Sequence, residues 1–96
     1  MERFTKSALE AFRTFGAASI AVSEVKLLAR DQLVHQDRPT GQLADLLLEL
    51  EAAHSRLRAL FADGHDAAVT ALAPQVLVIA DRTASALEID RERPSV

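Results

Sequence analysis

Apolar residues spaced alternately three and four positions apart mark the middle of the chain, between positions 42 and 62. This spacing places side chains on one face of an α-helix, so the pattern predicts an amphipathic helix over about 41–62. Leu47 and Phe61 widen the apolar face on one side. The face itself is formed by Leu43, Leu46, Leu50, Ala53, Leu57 and Leu60. So broad a face must pack against other helices or against a second copy of the chain.

Helical spacing also runs through the first third of the chain and predicts a helix over about 6–34. Thr5 or Ser7 can cap its N-terminus, with Glu10 placed to complete a capping box on Ser7. Gly16 costs about 1 kcal/mol relative to alanine within a helix and marks a bend, a close helix crossing or a tolerated glycine. One apolar stripe is formed by Ala8, Phe12, Phe15, Ala18, Val22, Val25, Ala29 and Leu33, and an adjacent one by Ile20, Leu27 and Val34. Two stripes predict burial over a wide arc of this helix.

Turn-forming residues separate the predicted helices. Residues 35–41, HQDRPTG, combine Asp, Pro, Thr and Gly without a large apolar side chain, which indicates a short connection. Asp63 and Gly64 end the second helix, and Gly64 supplies a left-handed cap. Asp66 can cap a third helix over about 66–90, and the polar tail 91–96 is expected to fray.

The third predicted helix again carries two apolar stripes. One contains Val69, Leu72, Val76, Ile79 and Ala86, and the other Leu77, Ala80, Ala84 and Leu87. Pro74 lies within the segment, so either the helix kinks there or a short turn ends and a longer helix restarts at the proline. The β-branched residues Val76, Val78 and Ile79 are compatible with a strand, but an isolated strand without a partner is unfavourable.

These segments predict an all-α fold, an antiparallel three-helix bundle that occupies residues 1–96 as a single domain. The apolar arcs of the first and third helices are wider than one small bundle needs. A homodimer that pools helices from two chains would bury the surplus, so we expect the protein to dimerise.

Composition narrows the function classes. The formal net charge is −3, and the Lys and Arg side chains are mixed with acids rather than clustered, which argues against a nucleic-acid coat. The chain contains no cysteine, which excludes a disulfide framework, a thiol nucleophile and a thiolate zinc site. No apolar run is long enough to span a bilayer and no export signal is recognisable, so we expect a cytoplasmic protein.

Arg30, Asp31 and His35 form the first candidate for chemistry. An arginine, a polar residue and a histidine five positions after the arginine resemble the signature of the HEPN superfamily of helical ribonucleases, in which two copies of the motif meet at a dimer interface. The resemblance implies that His35 acts on the ribose 2′-hydroxyl, Arg30 binds the scissile phosphate and Asp31 orients the pair. In the alternative interpretation, Arg30 and His35 simply favour the dipole at a helix C-terminus.

Glu51 and His54 form the second candidate, because their spacing resembles that of the ligand pair in ferritin-like di-iron bundles. Glu51 lies away from the leucine face, however, so we expect an exposed ion pair on a solvated surface and neither a metal site nor a cofactor. His54 also resembles the exposed histidine of histidine phosphotransfer domains, but Leu57 and Arg58 stand where that family has lysine and glycine. His65 and Asp66 resemble the dipeptide of metal-dependent HD enzymes, but they are expected to form a helix cap in a turn.

The surplus of apolar surface without a convergent set of catalytic side chains predicts a non-enzymatic helical protein that binds and regulates or inhibits another protein. The expected partner-binding residues lie on the first helix and are Phe12, Phe15, Ile20 and Leu27. A HEPN-like dimeric ribonuclease that uses Arg30 and His35 is the alternative function.

Overall fold

Three α-helices pack against one another: α1 (Lys6–Leu33), α2 (Gly41–Ala62) and α3 (Asp66–Glu92). The computed structural model describes residues 5–33 and 41–92, with side-chain surroundings for all of these except 32–33 and 89–92. No strand occurs in this part of the chain, which confirms the predicted all-α fold. None of the three helices combines the length and apolar character needed to cross a membrane over the ranges given.

The helix ends follow local sequence rules. Thr5 caps α1, since its Oγ1 accepts a hydrogen bond from the backbone N–H of Ala8 at 3.0 Å. At the end of α2, Gly64 has a φ of 76°, and the N–H of His65 donates to the carbonyl of Leu60 at 3.0 Å. This pattern is a Schellman motif and confirms the predicted left-handed glycine cap.

The start of α3 differs slightly from expectation. The carbonyl of His65 accepts the first helical hydrogen bond, from the N–H of Val69 at 2.9 Å, so His65 holds the capping position. Asp66 instead lies in the first turn, where a negative charge favours the helix dipole. Pro74 neither ends nor restarts the helix, because α3 is continuous through it. Its exposed position lets water reach the carbonyl that loses its partner.

α3 is the central element of the core. It packs extensively against both α1 and α2, whereas α1 and α2 contact each other less. Leu43, Leu50 and Leu57 of the predicted leucine face are fully buried in the core. The other buried apolar residues are Ala11, Ala18, Val22, Val25, Ala29, Val69, Ala73, Val76, Ala80 and Leu87.

The two helices predicted to have surplus apolar surface differ. On α3, both stripes are largely occupied by contacts within the chain, because this helix has two neighbours. On α1, the second stripe faces away from the core: Ile20 and Leu27 are exposed, while Val34 lies outside the described residues. The surplus is therefore concentrated on α1.

Candidate functional site

Large apolar side chains remain exposed along the outer side of α1. Leu9 is 48% exposed, Phe12 62%, and Ile20 and Leu27 63% each. We call these four residues the outer face of α1. The outer face extends over roughly 27 Å of helix at 1.5 Å per residue. An aligned series of exposed apolar side chains is typical of an interaction surface, whereas scattered ones are normal on any protein.

The spacing along α1 explains why these residues point outwards. Ala11, Ala18 and Val22 face the core and are fully buried. Ile20 lies two positions from both Ala18 and Val22, and a shift of two residues rotates a side chain about 200° around the helix axis. The large residue Ile20 therefore faces solvent, while the small residues Ala11 and Ala18 lie in the core and let a neighbouring helix approach closely.

Gly16 lies in line with the outer face and is half-buried. A Cβ atom placed on it would meet nothing within 4 Å, so no contact within the described chain requires a glycine there. Of the three expectations for Gly16, a close crossing with α2 or α3 is therefore excluded. Helix propensity makes glycine unfavourable at such a position by about 1 kcal/mol relative to alanine.

Three phenylalanines connect the outer face to α2. The rings of Phe15 and Phe61 stack with centroids 4.2 Å apart and planes inclined by 3°. Phe12 lies at the edge of this pair, with its centroid 6.4 Å from that of Phe61. Phe15 is half-buried in this contact, so among the predicted partner-binding residues Phe12, Ile20 and Leu27 offer the most exposed surface.

A polar cluster lies further along the contact between α1 and α2. His54 is 9% exposed, and its Nε2 lies 3.2 Å from Oγ of Ser19, within hydrogen-bonding distance. Burial lowers the pKa of His54, and the positive charges of Arg58 and Lys26 lower this pKa further, while Glu51 opposes them. The imidazole therefore favours its neutral form, which either donates to or accepts from the serine hydroxyl.

Lys26 and Glu51 form a salt bridge beside this cluster. Both side chains are about half exposed. The hydrogen bond from Lys26 lowers the pKa of the Glu51 carboxyl, with desolvation acting in the opposite direction. Exposed ion pairs contribute roughly 0–1 kcal/mol, so this bridge links α1 to α2 but adds little to the stability of the fold.

The expectation for Glu51 and His54 was thus half wrong. Glu51 is exposed, but His54 is buried instead of lying on a solvated surface. The spacing contains the signal: His54 follows Leu50 by four residues and precedes Leu57 by three, which places it on the buried leucine face. A buried imidazole also differs from the exposed histidine of phosphotransfer domains.

The nuclease candidates are only partly described. Arg30 and Asp31 are exposed near the end of α1, and His35 lies outside the described residues. Their nuclease role therefore stays a prediction. Among the side chains that the structure describes, no group of three or more His, Asp or Glu is arranged to hold a metal ion.

The chain was compared with protein-family models, with curated proteins and with solved structures, and none of them matches.

Proposed function

We propose that this protein is a small non-enzymatic helical protein that binds another protein through the outer face of α1 and thereby regulates or inhibits it. The observation that carries the proposal is the exposure of Ile20 and Leu27, 63% each, on a helix whose inner residues are buried. Both side chains lie on the same side of α1, two turns apart. Burying one such side chain contributes about 1.5–3 kcal/mol, so a complementary partner gains most from these two residues.

An antiparallel arrangement of α1 and α2 forms part of this proposal. Contacts between the two helices run in opposite order along the sequence, which supports it. The contacts in the order of α1 are Phe15 with Phe61, Ser19 with His54, and Lys26 with Glu51. Ile20 and Leu27 stay exposed when α2 and α3 pack on α1, so this part of the outer face is left for another molecule.

The direct test compares a double variant on the outer face with a control on α2. Ile20→Asp combined with Leu27→Asp places two charges on the proposed surface. Leu48→Asp makes the same change on α2, where Leu48 is 71% exposed. All three sites are exposed, so circular dichroism should show retained helicity for both proteins.

The readout is quantitative capture from extracts of the cells that make the protein, followed by a binding measurement with the purified partner. We expect at least one protein to bind the wild type and the Leu48 variant and to lose more than about tenfold in affinity for the double variant. Equal binding by all three proteins would contradict the assignment of the outer face.

A further inference from the structure

A heptad pattern follows the outer side of α1. Exposed or half-buried residues recur with alternating steps of four and three, the spacing of the contact seam between two coiled-coil helices. We call these residues the seam: Leu9, Arg13, Gly16, Ile20, Ser23 and Leu27. It includes three members of the outer face and lies opposite the buried Ala18 and Val22. The seam is therefore suited to a helix from outside the chain.

The sizes of the seam residues complement each other when the helix is reversed. In an antiparallel pair of α1 helices with the two-fold axis level with Ala18, Ile20 lies opposite Gly16 of the second copy. Leu9 then lies opposite Leu27 of the second copy. A large side chain thus projects into the space that glycine leaves, which gives Gly16 the role that no contact within the described chain provides.

Charges in the seam and beside it also complement each other. Lys6 and Arg13 lie on the N-terminal half of α1, and Glu24 and Asp31 lie on its C-terminal half. All four are exposed and share nearly one side of the helix, and none forms a salt bridge with another side chain in the part of the chain described. Antiparallel pairing brings Arg13 next to Glu24 of the second copy. Lys6 comes next to Asp31 of the second copy but also opposite its Arg30, so the pair of Arg13 and Glu24 carries the complementarity. Parallel pairing would align like charges.

We infer that the outer face of α1 binds a second copy of this chain through an antiparallel α1–α1 contact. This inference rests on the proposed function, because it names the occupant of the same surface when no other protein is bound. The contact is isologous, so each charge pair occurs twice. One helix pair is small for a protein interface, so the dimer is weak and dissociates to release the surface for a partner protein.

Charge reversal tests the register of this dimer. Arg13→Glu creates repulsion with Glu24 of the second copy at both ends of the contact. Adding Glu24→Arg in the same chain restores an opposite-charge pair in the reversed sense. Arg56→Glu on α2 is the matched control, since Arg56 is exposed and lies outside α1. Circular dichroism checks that every variant remains helical.

The measurement is sedimentation equilibrium of the purified full chain over a wide range of concentrations. We expect wild type to show a reversible monomer–dimer equilibrium, and Arg13→Glu to raise the dissociation constant by about tenfold or more. The double variant should return to within about threefold of wild type, and Arg56→Glu should match wild type. Ile20→Asp should abolish the dimer independently of the charge pairs.

Three results would overturn the inference: a wild type that stays monomeric, a double variant that does not recover, or equal weakening by Arg56→Glu. A monomeric wild type that still binds a partner through Ile20 would leave the proposed function intact. Conversely, Glu24→Arg could rescue the dimer of Arg13→Glu while the changes at Ile20 and Leu27 remove no partner protein. That result would support self-association and contradict the regulatory function.

Discussion

Oγ of Ser19 on α1 lies 3.2 Å from Nε2 of His54 on α2, and this contact is partly buried within the least extensive of the three helix interfaces. A protonated imidazole there would be partly removed from water and close to Arg58 and Lys26, which accounts for the lowered pKa of His54. The position of His54 between α1 and α2 therefore favours the neutral imidazole.

This relationship predicts a loss of stability in mild acid. Because the folded-state pKa of His54 lies below its ordinary value of 6.5, the unfolded chain binds the proton first as pH falls. The contribution of His54 to the free energy of unfolding is thus fully present above about pH 6.5, and it is lost as the pH falls towards the folded-state pKa. Urea unfolding at about pH 7.5 and about pH 5.5 should give a lower free energy of unfolding at the acidic pH.

Two histidine variants isolate the group responsible. His54→Gln should remove most of the pH dependence in this range, whereas His65→Gln, at an exposed position, should keep it. Glu51 affects stability in a different pH range, since its contribution to the free energy of unfolding is lost only as the pH falls below its ordinary pKa of 4.5. An unchanged slope in His54→Gln would show that another group causes the effect.

The stacked rings of Phe15 and Phe61 should be energetically coupled. Aromatic pairs contribute about 0.5–1.5 kcal/mol beyond the apolar area that they bury. A double-mutant cycle with Phe15→Leu and Phe61→Leu should therefore give a coupling energy of about 1 kcal/mol in chemical denaturation. The same cycle with Phe12→Leu should give a smaller value, because the Phe12 and Phe61 centroids are 6.4 Å apart. Equal coupling energies would contradict the importance of the stacked pair.

Two leucines on α2 should respond very differently to truncation. Leu57 is fully buried, whereas Leu48 is 71% exposed. Leu57→Ala removes packed side-chain atoms and leaves a cavity, so it should lower the free energy of unfolding by about 2–5 kcal/mol. Leu48→Ala should change it by less than about 0.5 kcal/mol. Comparable losses in thermal or urea unfolding would mean that Leu48 is covered in solution.

Gly16→Ala should separate folding from association. Its Cβ meets no neighbour within 4 Å, and alanine has the higher helix propensity, so the monomer should gain about 0.5–1 kcal/mol of stability. The same methyl group would enter the space that the second copy's isoleucine occupies, so self-association should weaken. Unfolding measured at low protein concentration, together with sedimentation, checks both effects. A more stable monomer with unaltered association would argue against the close helix approach at Gly16.

Local features of the fold were the most predictable from sequence. The leucine spacing identified α2, and Gly64 marked its end, because both signals depend on residues within a few positions of each other. Pro74 was ambiguous, since the choice between a break and a continuous helix depends on solvent access and on tertiary contacts. The central position of α3 was also not predictable, because apolar stripes do not specify which neighbours they contact.

The candidate site shows the same division. Ile20 and Leu27 form a distinct apolar stripe in the sequence. Periodicity alone predicts, however, that both stripes of the first helix are buried. The proximity of His54 to Glu51 predicts a surface position, although its position between Leu50 and Leu57 places it on the buried face. The burial of a titratable residue on an apolar face can be predicted only when its hydrogen-bond partner is known. The partner of His54 is Ser19, which is distant in sequence.

Site-specific photo-crosslinking tests the central claim most directly. A benzophenone side chain would replace Ile20 in one protein and the control residue Leu48 in another, each illuminated in the cells that make the protein. We predict a covalent adduct with a specific protein at Ile20 and none at Leu48, with mass spectrometry distinguishing a second copy of the chain from a different partner. Absence of an adduct at Ile20, or the same adduct at both positions, would contradict the outer face of α1 as the interaction surface.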